Sequence, residues 1–461
     1  MKQNSDTAFL DVEEIKAIEP LGNNPEFPDD LARPLRDGLQ KHGNFTTSQL
    51  AGRTFPIACV ALEITQRCNL DCTLCYLSDL AEVVKDVPLF EIERRLDIIH
   101  RHYGDFTNIQ ITGGDPTLRS IPDLVKIVKL IKQHKMRAAL FTNGIKASRK
   151  MLEALSSAGL DDVVFHVDMT QERKGYTSEA ELNAIREEYI ARATGLPLRV
   201  MFNTTVFDQN FHEVPNLASF FVSQADKIYL ASFQMQADTG RGVMGKRDDK
   251  LITQESVMNA LKCGTGLELN FDFPLIGHTA CNKYTSLLVS GEARTNLFDD
   301  KPFFDLLFDR VSKVGQNWAD PFIVVPKSMQ LAITSPKLMW GGLKFMLRKA
   351  WQLKTGLIKG KRVHRLNLFI HNFMDAEKLV QERCEGCVFM VATVDGPLSM
   401  CVHNAKRDQM ITKPVQALKG QRAWNPLEPG TSELGQGNLP FKRMKGKLRK
   451  QASLAREKDK A

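Results

Sequence analysis

The chain has 461 residues, of which 43% are hydrophobic and 25% charged, an ordinary balance for a folded protein of two or three domains. This composition excludes a chain that is disordered throughout. The sequence shows no basic segment followed by an apolar one near its start and no run of eighteen uncharged apolar residues, so it predicts neither a secretory signal nor a membrane span. Nine cysteines, mostly clustered, favour metal ligation in a reducing compartment and predict a cytoplasmic protein.

The net charge of +8 is unevenly distributed. Residues 441–461 carry +7 and residues 337–365 carry +9, so the rest of the chain carries −8. Such asymmetry bears on binding partners rather than on the fold. Residues 1–57 are predicted to form an N-terminal extension, and residues 426–461 a basic tail that is disordered at its end.

Residues 58–270 alternate short β-branched runs with amphipathic helical stretches, which is typical of a parallel sheet built from βα units. Six units predict an α/β fold with a partial (βα)6 TIM-like barrel, and functional groups in such sheets collect at the carboxyl ends of the strands. A C-terminal α+β domain is predicted over 271–425. The predicted strands are 59–65, 108–112, 137–142, 162–168, 198–206 and 227–235, with helices between them such as 89–102 and 121–133.

Three cysteines, Cys68, Cys72 and Cys75, follow the first predicted strand. Closed structural metal sites normally take four protein ligands, whereas three thiolates at Cys-x3-Cys-x2-Cys can hold a [4Fe-4S] cluster and leave one iron open for chemistry. A zinc site with a distant fourth ligand, or three cysteines close by chance, are the alternatives. Glu63, inside the same strand, either orients the site or pairs with a barrel arginine, and we expect the pairing.

The second strand ends at Gly113 and Gly114, followed by Asp115. The two glycines let the backbone approach a ligand closely, and their amides and carbonyls can hold a polar group such as an amino-acid ammonium. Taken alone, the motif is a turn. Three polar residues are candidates for cofactor or substrate contact by position only, with a structural role as the alternative: Asn143 at the end of the third strand, and Asp168 and Asn203 on the fourth and fifth.

The cysteine loop, the Gly-Gly-Asp-Pro-Thr motif at 113–117 and Thr-Asn-Gly at 142–144 together resemble the radical S-adenosylmethionine (SAM) superfamily. Two departures are visible, since Leu74 stands where the family usually has an aromatic residue and Asp115 where it usually has glutamate. The resemblance implies that the open iron of the [4Fe-4S] cluster binds SAM, and that one-electron reduction cleaves SAM to methionine and a 5'-deoxyadenosyl radical. A one-electron donor such as flavodoxin or ferredoxin is the implied partner.

The same resemblance assigns roles to individual residues. The backbone around Leu74 and Tyr76 is expected near the adenine of SAM. Arg241, after the sixth strand, is a candidate partner of the SAM carboxylate through bidentate geometry, with a surface loop arginine as the alternative. The ammonium of SAM is expected to meet Gly113, Gly114 and Asp115.

A second cysteine set lies in the C-terminal part. Four thiolates are the full complement of a closed cluster, and given the first cluster an auxiliary [4Fe-4S] cluster is favoured over zinc. The expected ligands are Cys281, Cys384, Cys387 and Cys401. The two remaining cysteines, Cys59 and Cys263, are predicted to be buried apolar thiols.

Five C-terminal segments, at 278–281, 287–291, 369–375, 392–396 and 400–404, resemble the tetraether lipid synthase branch of the superfamily, and the resemblance runs from about residue 58 to 410. That branch typically has a further N-terminal cysteine set, whereas residues 1–58 here contain no cysteine. His371 and Asp375 are candidates for lining the substrate cavity, with packing roles as the alternative.

The segment 337–354 interleaves Trp, Leu, Met and Phe with basic residues and has no acidic residue. This composition suits a helix that lies on the anionic inner face of a membrane. The alternatives are a helix packed on the second domain with a solvated basic face, and a nucleic-acid surface. No nucleic acid is expected, because no recognised nucleic-acid module accompanies the segment.

These observations lead to the hypothesis of a radical SAM enzyme that abstracts hydrogen from an unactivated C–H bond, in a lipid chain, for C–C coupling or alkyl modification. Such a bond needs a radical, because its acidity is too low for a general base. One alternative is a peptide- or cofactor-maturing radical enzyme. Another is a non-catalytic iron-sulfur scaffold or membrane adaptor that does not bind SAM.

Overall fold

The computed structural model of the protein describes residues 9–78, 80–81, 83–239, 247–312, 330, 335–416 and 422–427, so most of the predicted basic tail and Arg241 lie outside the described residues. The described strands form one mixed sheet. In chain order they are β1 (Cys59–Thr65), β2 (Asn108–Gly113), β3 (Arg137–Thr142), β4 (Asp162–His166), β5 (Arg199–Val206), β6 (Ile228–Met235), β7 (Asn282–Ser290), β8 (Ala293–Asn296), β9 (His364–Asn372), β10 (Phe389–Thr393) and β11 (Gly396–Ser399).

The strands β1 to β6 are parallel and neighbours in sequence order, and each is followed by a helix, which confirms the predicted α/β fold. Serines fix the start of several of these helices, because each serine hydroxyl accepts a hydrogen bond from a backbone N–H of the first turn. The helices are α3 (Leu89–Tyr103), α4 (Ile121–Gln133), α5 (Arg149–Ser157), α6 (Glu179–Ala193), α7 (Val214–Ser223) and α8 (Gln254–Thr265).

Two strands from the C-terminal part extend this parallel array. β9 lies beside β6 and β10 lies beside β1, both in parallel orientation, so eight described strands run in one direction. Antiparallel strands continue the sheet on both sides, β7 and β8 beyond β9 and β11 beyond β10. The predicted boundary between residues 270 and 271 stays a prediction, although strands from both sides of it share this sheet.

The curved sheet is bridged by aromatic side chains where β9 approaches β10. Each of these two strands already has hydrogen-bonded neighbours on both sides, so their backbones cannot pair with each other. The ring centroid of Phe389 lies 6.1 Å from that of Phe369 and 4.9 Å from that of His371. The barrel is therefore closed here by side-chain packing and remains open in its hydrogen bonding.

Side chains alternate between the two faces of the sheet, as β1 illustrates. Leu62 and Ile64 point outward into a buried cluster under α3 and α4, whereas Ala61 and Glu63 line the interior. Burying each outward side chain contributes about 2 kcal/mol, and a register shift of one residue would exchange the two sets. This alternation determines which residues can reach a ligand inside the barrel.

The remaining described helices surround the open side and the edges of the sheet. Residues of the predicted N-terminal extension pack on the C-terminal part, since Leu10 N donates to Leu379 O at 2.8 Å and Leu21 N to Pro397 O at 2.9 Å. No helix in the described residues is long and apolar enough to cross a membrane. These helices are α1 (Val12–Ala17), α2 (Arg33–Lys41), α9 (Lys301–Ser312), α10 (Pro336–Gln352), α11 (Lys354–Ile358), α12 (Gln381–Glu385), α13 (Met400–Ala405) and α14 (Arg407–Thr412).

Candidate active site

The predicted cysteine loop borders a cavity of about 500 Å³ inside the curved sheet. Cys68, Cys72 and Cys75 are half-buried and all line this cavity. Gly113 and Gly114, at the end of β2, line it too. The structure thus brings together the two motifs that the sequence predicted at the carboxyl ends of neighbouring strands.

The two glycines lie directly against the backbone that leads into the cysteine loop. A β-carbon on Gly113 would lie 1.9 Å from Thr65 O, and one on Gly114 would lie 2.0 Å from Arg67 O. Gly113 also has a φ of +132°, which L side chains rarely adopt. Gly114 N donates a hydrogen bond to Thr65 O at 2.9 Å. Glycine is therefore required at both positions to set the entry of the loop.

The carboxylate of Asp115 is almost fully buried and joins the ends of β2 and β3. It accepts hydrogen bonds from Thr117 N at 2.9 Å, from Thr142 Oγ1 at 2.9 Å and from Asn143 N at 2.8 Å. These bonds orient the Gly-Gly turn relative to the third strand. The expected contact between Asp115 and the ammonium of SAM stays a prediction.

Asn143 connects the end of β3 to the cysteine loop. Its Nδ2 donates to Asn69 Oδ1 at 2.7 Å, and its Oδ1 accepts from Ile145 N at 3.0 Å. Since Asn69 follows Cys68 directly, this contact positions the loop from a second strand. Asn143 also lines the cavity, as does Asn203 on β5.

The end of β4 presents a cavity residue that was not predicted from the sequence. His166 lines the cavity, and its Nε2 lies 2.6 Å from Oδ2 of Asp168, which is fully buried behind it. Burial alone would lower the pKa of His166, but the charge of Asp168 raises it above its usual value. Backbone N–H groups of Thr170 and Thr205 also donate to Asp168. Side chains of a strand alternate between its two faces, so Asp162, Val164 and His166 face the same side. This alternation is the sequence signal that could have predicted His166 as a cavity residue.

A buried ion pair lies beside the cysteine loop. Arg407 donates to both carboxylate oxygens of Glu63, at 2.7 and 2.9 Å, which bears out the predicted pairing but with an arginine from α14 and not from the barrel. Burial raises the pKa of Glu63, and the opposing charges and hydrogen bonds of Arg407 and its neighbours lower it to about 2. The Arg407 guanidinium also lies 4.5 Å from the ring centroid of Tyr76, whose hydroxyl donates to Gly113 O at 2.8 Å.

The two C-terminal candidates of the substrate cavity occupy different surroundings. His371 lines the cavity and stacks on Phe369 at 4.2 Å between ring centroids, and burial lowers its pKa to about 3, so the imidazole is neutral. Asp375 instead accepts a hydrogen bond from Asp238 N at 2.7 Å and connects the loops after β6 and β9. A substrate contact of either residue stays a prediction.

Three of the four C-terminal cysteines lie near Arg383, and the fourth, Cys387, acts on all three of them. Its Nε lies 3.2 Å from Cys281 Sγ, and its charge also acts on Cys384 and Cys401. Burial and the negative charge of neighbouring Cys387 and Cys281 raise the pKa of Cys384 to about 12. A metal centre would reverse this situation, because its positive charge stabilises thiolates. As placed, no three His, Cys, Asp or Glu side chains of the described residues are arranged to coordinate a metal ion.

The two remaining cysteines differ from each other. Cys59 is buried on β1, as predicted. Cys263 is exposed, so the prediction that it is a buried thiol was wrong. The reason is its place on α8, where Val257 and Leu261 form the buried face and Cys263 points to solvent.

Charged side chains occupy the end of the cavity opposite the cysteine loop. Arg137, Asp162 and Arg199, the first residues of β3, β4 and β5, all line the cavity. None of the three was predicted from the sequence as a site residue. The available signal was a charged residue at the inward-facing start of three successive strands.

Comparison with known families agrees with this site. A profile of the radical SAM superfamily matches residues 62–221, which include the cysteine loop and the Gly-Gly motif. The fold and the site define an iron-sulfur enzyme built on a parallel α/β sheet. Residues 62–221 therefore form a radical SAM domain and the chain is a radical SAM enzyme, and this domain implies SAM, a [4Fe-4S] cluster and a one-electron reductant.

Curated relatives are distant and chemically varied. The chain is 23% identical over 394 residues to the 7,8-dihydro-6-hydroxymethylpterin dimethyltransferase of Methanocaldococcus jannaschii, covering 76% of this chain and 77% of the relative. It is 30% identical to the probable GTP 3',8-cyclase of Pyrococcus abyssi, over 33% of this chain and 48% of the relative. It is 28% identical to the PqqA peptide cyclase of Methylorubrum populi, over 37% of this chain and 44% of the relative. The chain thus spans about half or less of each cyclase.

Solved structures with a detectable likeness include anSMEcpe with bound AdoMet and SuiB of Streptococcus suis bound to S-adenosylmethionine. The first has a TM-score of 0.35 at 17% identity and covers 45% of this chain and 59% of its own. The second has a TM-score of 0.33 at 16% identity and covers 46% of each.

Proposed function

We propose that the protein cleaves SAM reductively at a [4Fe-4S] cluster on Cys68, Cys72 and Cys75 and removes hydrogen from an unactivated C–H bond of a substrate in the barrel. The observation that carries this proposal is one cavity bordered by both the cysteine loop and the inward side chains of the strands. When bound at the loop, the cluster and SAM supply a 5'-deoxyadenosyl radical.

The residue types of the cysteine loop suit such a cofactor pair. Three half-buried thiols supply the donor set of a site with one open iron, and the two glycines let the end of β2 pack directly against the backbone that enters the cysteine loop. Tyr76 and the Glu63–Arg407 pair pack beside the loop and help to exclude water. Enclosure matters because a reactive radical must be kept from side reactions.

The wall between the two ends of the cavity is mainly apolar, which supports a hydrocarbon chain as the substrate. It includes Ala139, Val164, Met201, Leu230 and Phe369. Apolar side chains bind an alkyl segment by burial and leave its C–H bonds as the reactive groups. C–C coupling or another alkyl modification is the proposed outcome.

We further propose that Cys281, Cys384, Cys387 and Cys401 hold an auxiliary [4Fe-4S] cluster. Their electrostatic influence on one another supports a common site, because Cys387 and Cys281 both raise the pKa of Cys384 and of Cys401. Arg383 would balance part of the negative charge of such a centre.

We also propose that α10 and α11 lie on an anionic membrane surface. The exposed fraction is 60% for Trp340, 69% for Trp351 and 83% for Ile358, although these are large apolar side chains. Lys354 Nζ lies 3.7 Å from the ring centroid of Trp351, so a cation stands at the level of the indole. Aromatic rings and lysines at one level suit the headgroup region of a bilayer.

Vesicle flotation tests the membrane proposal. Replacing Trp340 and Trp351 together by Glu should weaken binding to phosphatidylglycerol vesicles more than tenfold, since each buried Trp contributes about 2 kcal/mol. Val12→Glu is the matched control, because Val12 is 65% exposed on a different helix. Equal flotation of all three proteins, or none of the wild type, would reject the membrane surface.

Reductive SAM cleavage tests the central proposal. Anaerobically reconstituted protein should release 5'-deoxyadenosine with dithionite, and Cys72→Ala should abolish the release. Cys263→Ala is the control, because that thiol is exposed on α8 and belongs to neither cysteine set. Full cleavage by Cys72→Ala would defeat the proposal, as would a failure of the wild type. A non-catalytic scaffold predicts that equilibrium dialysis detects no SAM binding at all.

One observation favours a second candidate, the modification of a small cofactor. The pterin dimethyltransferase is similar to 76% of this chain, more than the superfamily profile itself covers. Product analysis separates the two candidates, since SAM-dependent change of 7,8-dihydro-6-hydroxymethylpterin without change of lipid supports the second, and the reverse result supports the first. A peptide-maturing reaction predicts neither product.

A further inference from the structure

Two guanidinium groups share one carboxylate at the end of the cavity opposite the cysteine loop. Arg199 donates to both oxygens of Asp162, at 2.5 and 2.7 Å. Arg137 makes a single contact with the same carboxylate, at 3.2 Å. The three side chains line the same cavity as the cysteine loop. This layer therefore carries one positive charge more than its own carboxylate can neutralise.

Polar atoms in the same layer lack partners among the described residues. Arg137 Nε is buried without a hydrogen bond, and so is Oδ1 of Asn108 on the neighbouring strand. The adjacent Asp161 does not supply the missing charge, because Lys132 pairs with it at 2.9 Å. An unpaired buried donor is unfavourable by about 1–3 kcal/mol, so a ligand that satisfies it binds with that advantage.

We propose that this charged layer binds the anionic end of an amphiphilic substrate, a carboxylate or a phosphate monoester, while the apolar wall of the cavity holds its chain. The proposal rests on the proposed function, since it assumes that the substrate occupies the barrel. Guanidinium groups match both anions because their N–H donors form parallel pairs of hydrogen bonds. Arg137 has such donors available once it turns from Asp162.

The strand geometry also sets a minimum length for the substrate. Asp162 and His166 are the ends of β4. Four residue steps at about 3.3 Å each separate them, so the strand spans about 13 Å. The cysteine loop lies beyond the His166 end. The carbon attacked is therefore at least about 13 Å from the anionic group, which requires an extended chain of some ten carbons or more.

A purely structural ion pair that closes the barrel is the competing explanation, and Asp162→Asn distinguishes the two. Removing this carboxylate frees both guanidinium groups for a ligand, so anion binding should become about tenfold tighter. If the layer were only structural, the same substitution would lower stability and leave anion binding unchanged.

Titration calorimetry on the full-length, anaerobically reconstituted protein provides the test, with hexyl phosphate, hexanol and inorganic phosphate as probes. Hexyl phosphate should bind at least tenfold more tightly than either of the others. Arg137→Gln should weaken hexyl phosphate binding ten- to hundredfold, as expected for the loss of charged hydrogen bonds. Arg149→Gln is the control, because Arg149 is a surface arginine that pairs with Glu153 on α5.

Lys344→Gln on α10 tests for binding to the basic helix instead. The proposal is overturned if Lys344→Gln removes the binding and Arg137→Gln does not, if hexanol or inorganic phosphate binds as well as hexyl phosphate, or if Asp162→Asn leaves the affinity unchanged. Should Arg137→Gln fail to fold, Arg137→Lys and Asp162→Asn still decide. None of these measurements needs SAM cleavage, so a negative result here leaves the radical reaction standing, and a loss of SAM cleavage leaves this result standing.

Discussion

Glu63 and Arg407 are 344 positions apart in sequence, and both oxygens of the carboxylate accept hydrogen bonds from the guanidinium at 2.7 and 2.9 Å. Both side chains are almost fully buried. The pair connects the strand before the cysteine loop to α14 and packs against Tyr76. Stability of the whole protein and geometry of the candidate site therefore depend on the same contact.

Replacing Arg407 by Ala should lower the free energy of unfolding by about 3–5 kcal/mol, because Glu63 would be left as a buried, uncompensated charge. Urea denaturation measures this loss. Arg33→Ala is the control, since Arg33 forms an exposed pair with Asp37 and should contribute less than about 1 kcal/mol. Losses of equal size would show that Glu63–Arg407 is no stronger than a surface pair.

The same pair predicts how stability depends on pH. The pKa of Glu63 is lowered from 4.5 to about 2, so its contribution is complete above the unfolded value and disappears as the pH falls through the folded one. Between pH 4.5 and 2 the apoprotein should lose about 3 kcal/mol from this group. Glu63→Gln should remove that part of the pH dependence. Identical pH profiles of the two proteins would contradict the prediction.

Gly114→Ala should disrupt the cysteine loop, because the new β-carbon would lie 2.0 Å from Arg67 O, a backbone atom that cannot move aside cheaply. We expect SAM cleavage to fall at least a hundredfold, since a misplacement of about 1 Å can reduce rates by that factor. Gly342→Ala is the matched control, as its β-carbon would meet only Phe303 at 3.8 Å. Comparable cleavage by both variants would show that the close approach is dispensable.

The Asp168 carboxylate should keep His166 protonated above the usual pH range. Proton NMR of the imidazole should give a pKa above 6.5, and Asp168→Asn should lower it. Because the folded pKa is raised, the stability from this contact is complete below pH 6.5 and is lost as the pH rises through the folded value. A His166 titration unaffected by Asp168→Asn would refute the pairing.

Iron content should separate the two cysteine sets. Wild-type protein should bind about eight irons after anaerobic reconstitution, and Cys384→Ala about four. Cys281→Ala should match Cys384→Ala if Cys281 is a ligand, whereas Cys263→Ala should keep the full content. Unchanged iron in Cys384→Ala would remove the basis for an auxiliary cluster.

The sequence predicted the parts of this fold that local patterns encode. The six strands were found because hydrophobic alternation is visible within a few residues, and the cysteine loop because ligand spacing is a local property. The parallel pairing of β9 with β6 and of β10 with β1 was not predicted. These strands are far apart in sequence, and no local sequence pattern shows which distant strands will pair.

Individual side chains show the same limit. Glu63 was expected to meet an arginine, but the partner on α14 could not be chosen among many arginines from sequence alone. Arg137 and Arg199 were missed because charged residues at strand starts are common at protein surfaces, and only the curvature of the sheet turns these two inward. Cys263 was wrongly predicted to be buried, because the sequence alone did not show which face of α8 packs against the protein.

The pairing of β1 with β10 also has a consequence for synthesis on the ribosome. At about 5–20 residues per second, β10 emerges tens of seconds after β1. Until then the nascent strand before the cysteine loop lacks its outer neighbour, and Glu63 lacks its arginine. We therefore expect iron-sulfur delivery to act on the released chain, and a translation stalled before residue 389 to yield a loop that cannot retain its iron.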